Sequence, residues 1–457
     1  VDRRTLVVFL VALAACAVVT KPRPISWNDR SRFATIESIV DRGTVAIDGS
    51  PFAVGLGDEY RYRGHLYSDK SPLLAVQGAA VAKAASAFGV TLQRTPGAAA
   101  YVIVLGTAGL WFALGCAYAY AFQRLLGITP RGAAVVAAIS GLGTLTLPYA
   151  TVLANHVPAG AAALAAIYHY ARGRDRRADA ALGGVFAALA FAFDPPAAIV
   201  VLAAVPLLFR GPADRWGAVL AGFLPIVLAQ VAFNHTVSAG FGPPALDPVS
   251  WSDPSSPFHA RANEPLTYFD TPRAFLAYAA YVLVGGKGLF SYTPVALVCA
   301  YGLGVMWRTP GTWRTVALAV ALPVVAYTVL VIVLTNDYLS GNFGERRYVD
   351  VFFTLCVALG PALAAVRGRS AALAVRAAVA LSIVVAAFGT VQPFGGAAGE
   401  DGYRFGAEAF AGLASRAPLQ AGLDVVAVVL TVAAVLRALP ASWTSAAPTP
   451  RGSGRFA

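Results

Sequence analysis

The stretch "WNDRSRFATIESIVDRGTVAID" (residues 27–48) has seven charged side chains among its 22 residues, in a chain that is only 13% charged. It follows "TLVVFLVALAACAVVT" (residues 5–20), an apolar run with no charge at all. Dense charge against a long apolar segment is the pattern of a membrane boundary, where the chain leaves hydrocarbon for headgroups and water. The rest of the 457 residues repeats this contrast. The chain is 58% hydrophobic with a mean hydropathy of +0.64, where soluble proteins are about 45–50% apolar. Many runs approach the ~20 residues that cross a bilayer as a helix, and the ~10-residue alternating segments of a membrane β-barrel are absent. The expected fold class is an all-α polytopic membrane protein.

Twelve spans are expected, near 5–20, 98–122, 132–150, 156–171, 180–193, 196–209, 216–234, 287–306, 315–335, 348–366, 372–391 and 421–438. The first follows Asp2-Arg3-Arg4 and is followed by "TKPRP", not a small-residue cleavage site. It reads as an uncleaved anchor with a cytoplasmic N-terminus. Counting sides from there puts the short basic segments 124–131, 172–177, 210–215, 308–314 and 367–369 inside, as the positive-inside rule requires. Residues 1–440 form one transmembrane domain in this reading, and 441–457 a flexible cytoplasmic tail. Segments 21–97, 235–286, 336–347 and 392–420 fall outside. On the first of them, residues 32–42 are expected as a surface helix with Phe33, Ile36, Ile39 and Val40 on one face and Gly43 as its C-cap. Residues 71–90 and 273–286 are expected as juxtamembrane helices, because a span at 71–90 would turn every basic segment outward.

Composition excludes several function classes. The net charge of +12 comes largely from Arg in short loops, with no basic-aromatic module, so no nucleic-acid partner is expected. Cys16, Cys116, Cys299 and Cys356 lie inside apolar runs without CxxC spacing and read as packed thiols. There is no P-loop and no Rossmann glycine pattern, which argues against ATP-driven transport and nucleotide-sugar chemistry.

Two charged clusters sit on the first outer segment. One is Asn28-Asp29-Arg30-Ser31-Arg32 with Glu37. The other is "YRYRGHLYSDKSPLLAV" (residues 60–76), preceded by Asp58 and Glu59. A lipid anchor would be nearly all Lys and Arg. Interleaved carboxylates and cations suit a site that removes a proton and holds a phosphate, or they are solvated loop charges that pair with one another.

In these motifs the chain resembles the GT-C glycosyltransferases, the polytopic enzymes that include protein O-mannosyltransferases and lipid A aminoarabinose transferases. That group has an Asp after the first span, then Arg-x-x-x-x-Glu, then Tyr-x-Asp/Glu-Lys-Pro-Pro-Leu. Asp29 matches the first acid, Arg32 and Glu37 the second element, and Tyr67, Asp69, Lys70, Pro72 and Leu73 the third. Arg30 replaces a frequent second acid, and Ser71-Pro72 replaces the double proline. The resemblance implies a hexosyl or pentosyl group carried on a polyprenyl phosphate at the outer face of a bacterial plasma membrane. The sugar would move with inversion to a hydroxyl of a protein, glycan or lipid. Asp29 would take the acceptor proton, Lys70 and Arg32 would neutralise the phosphate, and Asp69 would orient Lys70. Some relatives hold a divalent metal with an acid of the third element and a later His, which here would be Asp69 and His259.

Other residues are further candidates. Lys287 in "VGGKGLFSYTP" is a donor-phosphate ligand or a snorkelling Lys. Arg346 and Arg347 are phosphate candidates because two adjacent Arg on an outer segment run against the charge bias. His65 and His156 are supporting candidates, and Asp194 in "FAFDPPAA" is an acid between two apolar helices that needs exposure or a partner. His169 reads as structural. The competing function is a transporter or flippase of a lipid-linked or small solute, which would place ionisable residues at mid-membrane.

Overall fold

The computed structural model describes residues 2–209, 211–238, 240–244, 271–334, 341–395 and 401–439. In chain order these begin with α1 (Arg3–Val19), α2 (Trp27–Glu37), β1 (Glu59–Tyr62), β2 (His65–Ser68), α3 (Leu73–Ser86), α4 (Pro96–Leu125) and α5 (Pro130–Leu142). Next come α6 (Thr146–Ala150), α7 (His156–Gly173), α8 (Arg177–Phe193), α9 (Pro195–Leu208), α10 (Ala213–Val237), α11 (Pro272–Val284) and α12 (Leu289–Tyr292). The series ends with α13 (Val295–Arg308), α14 (Thr312–Leu334), α15 (Arg346–Ala365), α16 (Arg369–Gly389), α17 (Gly402–Arg416) and α18 (Pro418–Ala438).

Each of the twelve apolar runs is helical, but among the described residues seven helical stretches have the length and apolarity to cross a membrane. They are α4, α10, the α11–α12 stretch, α14, α15, α16 and α18. The expected count of twelve therefore resolves into seven by this measure. A helix as short as α1 or α13 rises ~21–26 Å, less than a ~30 Å hydrocarbon core. The expected span at 287–306 divides at Thr293-Pro294, where proline supplies no N–H to continue the ladder, into α12 and α13. Residues 273–286, expected as juxtamembrane, join α12 in a stretch of spanning length that turns at Gly285–Gly288.

The centre of the bundle is α7, buried on nearly every side. It packs against α4, α8 and α15, and α8 packs in turn on α10. Small side chains permit this closeness, as in membrane bundles generally. At Gly160 an added Cβ would lie 2.5 Å from the Val349 carbonyl oxygen and 3.2 Å from that of Asp350. This approach of α7 to α15 brings His156, one turn earlier, face to face with Asp350.

The segment after α1 corrects the surface-helix expectation. The helix starts at Trp27, where the Ser26 side chain accepts the Asp29 N–H at 3.1 Å. It continues through a π turn, Ser38–Arg42, and stops at Gly43 in the left-handed region (φ 65°), the expected cap. Nine of the eleven residues of α2 are buried, including Arg32 and Glu37, because α3 and the hairpin both pack against it. A further cover is the loop bearing Ile47, Ala53 and Leu56, which packs on Ala34.

The hairpin is a second departure from an all-helical segment. Arg63 (φ 50°) and Gly64 (φ 85°) form its two-residue turn, as short antiparallel connections require. The register pairs Glu59 with Ser68, Tyr60 with Tyr67, Arg61 with Leu66 and Tyr62 with His65.

Candidate active site

Asp29 sits in the first turn of α2, 1% exposed. Its Oδ2 accepts the Ile25 N–H at 3.0 Å, and its Oδ1 is buried without a hydrogen-bond partner. Burial pushes its carboxyl up to about 6, while the Ile25 N–H and the Arg32 guanidinium pull the other way. Arg32 is one turn further along, also 1% exposed. It donates to the Asn28 carbonyl oxygen (2.9 Å) and side chain, the Leu153 carbonyl oxygen (3.3 Å) and Asn155 Oδ1 (2.6 Å), with Nε left over. Burial lowers the guanidinium to about 10, and Asp29, Asp69, Asp58 and Asp194 around it act in the opposite sense. Arg32 is thus the electrostatic centre of a ring of four carboxyls.

Lys70 closes this ring from the hairpin side. Its Nζ lies 2.8 Å from Asp69 Oδ2 and 3.0 Å from Asp58 Oδ2. An ammonium has three protons; two face these carboxylates and one remains for a ligand. Burial raises the Asp69 carboxyl and Lys70 lowers it, and Asp69 Oδ1 is buried without a hydrogen-bond partner. Beside Lys70 lies a small open pocket lined by Arg32, Tyr60, Tyr67, Ser71, Phe233 and Val237, among others. Tyr60 and Tyr67 stack at 5.8 Å, and the Tyr60 hydroxyl donates to the Val237 carbonyl oxygen (2.9 Å), fastening the hairpin to α10.

A second buried cluster adjoins the first through Asn155, whose amide also donates to the Phe193 carbonyl oxygen (3.2 Å). His156 Nδ1 lies 2.8 Å from Asp194 Oδ2 and 3.1 Å from Asp350 Oδ1. All three side chains are buried, and Tyr327 donates its hydroxyl to Asp350 Oδ2. Among the described residues this is the group whose ligand atoms, all within 4.8 Å of one another, can hold a metal ion. Arg347 adds positive charge near Asp194.

The remaining candidates are dispersed. Glu37 pairs with Arg42 at 2.9 Å and not with Arg32. His65, at the hairpin tip, pairs with Asp48 at 3.3 Å and does not reach the cluster. Asp41, Arg42 and Asp48 are tied to Gln93, Glu37 and the Leu66 N–H respectively. Arg30 donates to the Val54 carbonyl oxygen. Lys287 is fully buried rather than snorkelling, and its carbonyl accepts the Glu345 N–H at 3.0 Å. Arg346 reaches Asn342 Oδ1 (3.4 Å) and lies over the Phe394 ring, and Arg347 sits 3.5 Å from Glu345. Of these cations, Arg347 lies near Asp194 of the His156 cluster. His169 is held between Asp179 (2.8 Å) and the Tyr118 hydroxyl (3.2 Å). His259, most of 235–286, part of 336–347 and of 392–420, and the tail 441–457 lie outside the described residues.

Sequence reasoning placed Asp58 in the second charged cluster without a role and missed Asp350. The register supplies the first: one step beyond the Glu59–Ser68 pair, Asp58 comes opposite Asp69. The second had a signal in a lone acid within the apolar run 348–366.

Fold and site together define a helical protein with seven stretches, among the described residues, long and apolar enough to cross a membrane, and with a buried charged cluster beside the hairpin. The chain is similar in fold to ArnT from Cupriavidus metallidurans in the apo state (TM-score 0.54, 18% identity, 96% of this chain and 74% of that one). The same protein bound to undecaprenyl phosphate aligns at a TM-score of 0.50, 15% identity, over 96% and 76% of the two chains. The archaeal oligosaccharyltransferase AglB from Archaeoglobus fulgidus, in complex with an inhibitory peptide and a dolichol-phosphate, aligns at 0.50 and 13% identity, over 98% and 61%. No family model and no curated protein matches the sequence.

Proposed function

We propose that the protein is a membrane glycosyltransferase that moves a sugar from a polyprenyl phosphate to an acceptor hydroxyl. The observation that supports this reading best is the placing of two cations, buried Arg32 and half-buried Lys70, at one pocket on a GT-C-like fold. A phosphate leaving group needs positive charge more than a proton. In this reading the free proton of Lys70 meets a phosphate oxygen, and Asp58 and Asp69 hold the ammonium in place. Arg32, fixed by its donations to Asn28, Leu153 and Asn155, adds a charge that cannot swing away.

Asp29 is the base. The acceptor oxygen attacks the anomeric carbon, the bond from that carbon to the phosphate oxygen breaks, and the acceptor proton passes to Asp29 Oδ1, the carboxylate oxygen without a hydrogen-bond partner. A single displacement of this kind inverts the anomeric centre. The site lies in this reading at the outer face of a bacterial plasma membrane, with both termini cytoplasmic, and the acceptor is a protein, glycan or lipid. The cluster gathers on the segment after α1, where a transporter would carry its ionisable residues at mid-membrane. The test is glycosyl transfer by Asp29→Asn and Lys70→Ala in membranes. Wild-type rates in both, at normal expression, would overturn the assignment.

A further inference from the structure

We propose that His156, Asp194 and Asp350 form a binding site for one divalent cation of the Zn²⁺ or Mn²⁺ type. The inference rests on the donor atoms themselves and stands apart from the glycosyl-transfer reading. Three elements converge here: the N-terminus of α7, the turn between α8 and α9, and the first turns of α15. The residues are 7%, 8% and 1% exposed.

The hydrogen bonding of the cluster is incomplete without a cation. His156 Nδ1 offers one proton at most, and that nitrogen faces two carboxylates. Its hydrogen bond goes to Asp350 Oδ1 at 3.1 Å. Asp194 Oδ2 lies closer, at 2.8 Å in an ion-pair contact, but with that one N–H directed at Asp350 it is buried without an aligned hydrogen bond of its own. A buried carboxylate oxygen without a partner is costly. A divalent ion accepts Asp194 Oδ2, Asp350 Oδ1 and the Nδ1 lone pair together, and its two charges balance the two carboxylates.

The remaining features fit such a site. An imidazole with two carboxylates is a donor set for Zn²⁺ or Mn²⁺, with Zn–N and Zn–O near 2.0–2.2 Å. Donor atoms all within 4.8 Å of one another can meet one ion with little movement. The Tyr327 hydroxyl donates to the other oxygen of Asp350 and fixes that carboxylate, as outer partners of metal ligands do. Gly160 lets α15 come close enough for Asp350 to share the site.

The test uses the full-length protein purified in detergent, stripped with chelator, reloaded with Zn²⁺ or Mn²⁺, desalted and assayed for bound metal by mass spectrometry. The wild type is expected to hold one ion per chain with either or both metals. His156→Gln and Asp194→Asn are expected to hold none, and Tyr327→Phe to bind about tenfold more weakly. Lys70→Ala, outside the triad, is expected to keep the wild-type stoichiometry. Where a triad variant does not fold, Co²⁺ loaded into stripped wild type provides the second measurement, with visible bands that vanish when Zn²⁺ is added. Absence of metal and of Co²⁺ bands in the wild type, or an unchanged ion count in the folded triad variants, would overturn the proposal. Metal binding is read without any sugar donor, so its failure and that of the glycosyl-transfer reading are separate results.

Discussion

Asp29 gives the most quantitative prediction. Burial raises its carboxyl from an ordinary 3.8 to about 6. If it is the base, turnover follows its ionised fraction, which is roughly 10% at pH 5, half at pH 6 and roughly 90% at pH 7. Transfer is therefore expected to rise about tenfold from pH 5 to pH 7 and to level off above. A carboxylate at its ordinary value would be almost fully ionised by pH 5, and the rate would be flat over the same range. Stability should move the other way. A carboxyl raised in the folded state holds its proton more tightly there, so its contribution is greatest below 3.8, is lost as pH climbs to about 6, and stays lost above. The gap amounts to about 3 kcal/mol. Asp29→Asn should abolish transfer and remove this part of the pH dependence of thermal unfolding. Initial rates at saturating donor from pH 5 to 7.5, with melting curves of both proteins, would decide it. A flat rate profile, or an Asn variant with the wild-type pH dependence of melting, would refute the reasoning.

Further predictions concern the groups around it. Arg32→Lys forfeits the fork that reaches Leu153 and Asn155. It should lower stability by about 2 kcal/mol in denaturant melts and raise KM for the donor. Tyr60→Phe removes the bond to the Val237 carbonyl oxygen. It should cost about 1 kcal/mol and loosen the hairpin, measurable as faster amide exchange over residues 59–68. Gly160→Ala must move the Val349 carbonyl oxygen from 2.5 Å to at least 3.4 Å from the new Cβ. It should cost about 1–3 kcal/mol and deplete the metal bound at His156 and Asp350, while Ala at the open Gly217 should do neither.

Local pattern made some of the structure legible and tertiary contact decided the rest. The apolar runs announced the helices because each must satisfy its own backbone in hydrocarbon. Gly43 could be read as a cap because its left-handed conformation is a local requirement. The burial of α2 could not be read from its wheel. Arg32 and Glu37 look like a solvent face until α3, the hairpin and the loop bearing Ile47, Ala53 and Leu56 pack on the helix and Arg32 meets Leu153 and Asn155, and those contacts are non-local. The hairpin was legible in the alternation of "EYRYRGHLYS" (residues 59–68) about an Arg-Gly turn, and its register would have disclosed Asp58 as the second carboxylate on Lys70. Asp194 raised the right question, an acid that needs a partner. The answer, His156 with Asp350, depends on α7 and α15 meeting at Gly160, 190 positions before Asp350 in the chain.

The central claim is sugar transfer from a lipid phosphate. It is tested most directly by incubating the purified protein with a panel of polyprenyl-phosphate sugars and following release of free polyprenyl phosphate. Turnover of at least one donor by the wild type, lost in both Asp29→Asn and Lys70→Ala, is the predicted result. Folded wild-type protein that consumes none of them in the presence of protein, glycan and lipid acceptors, or variants that consume the donor at the wild-type rate, would contradict it.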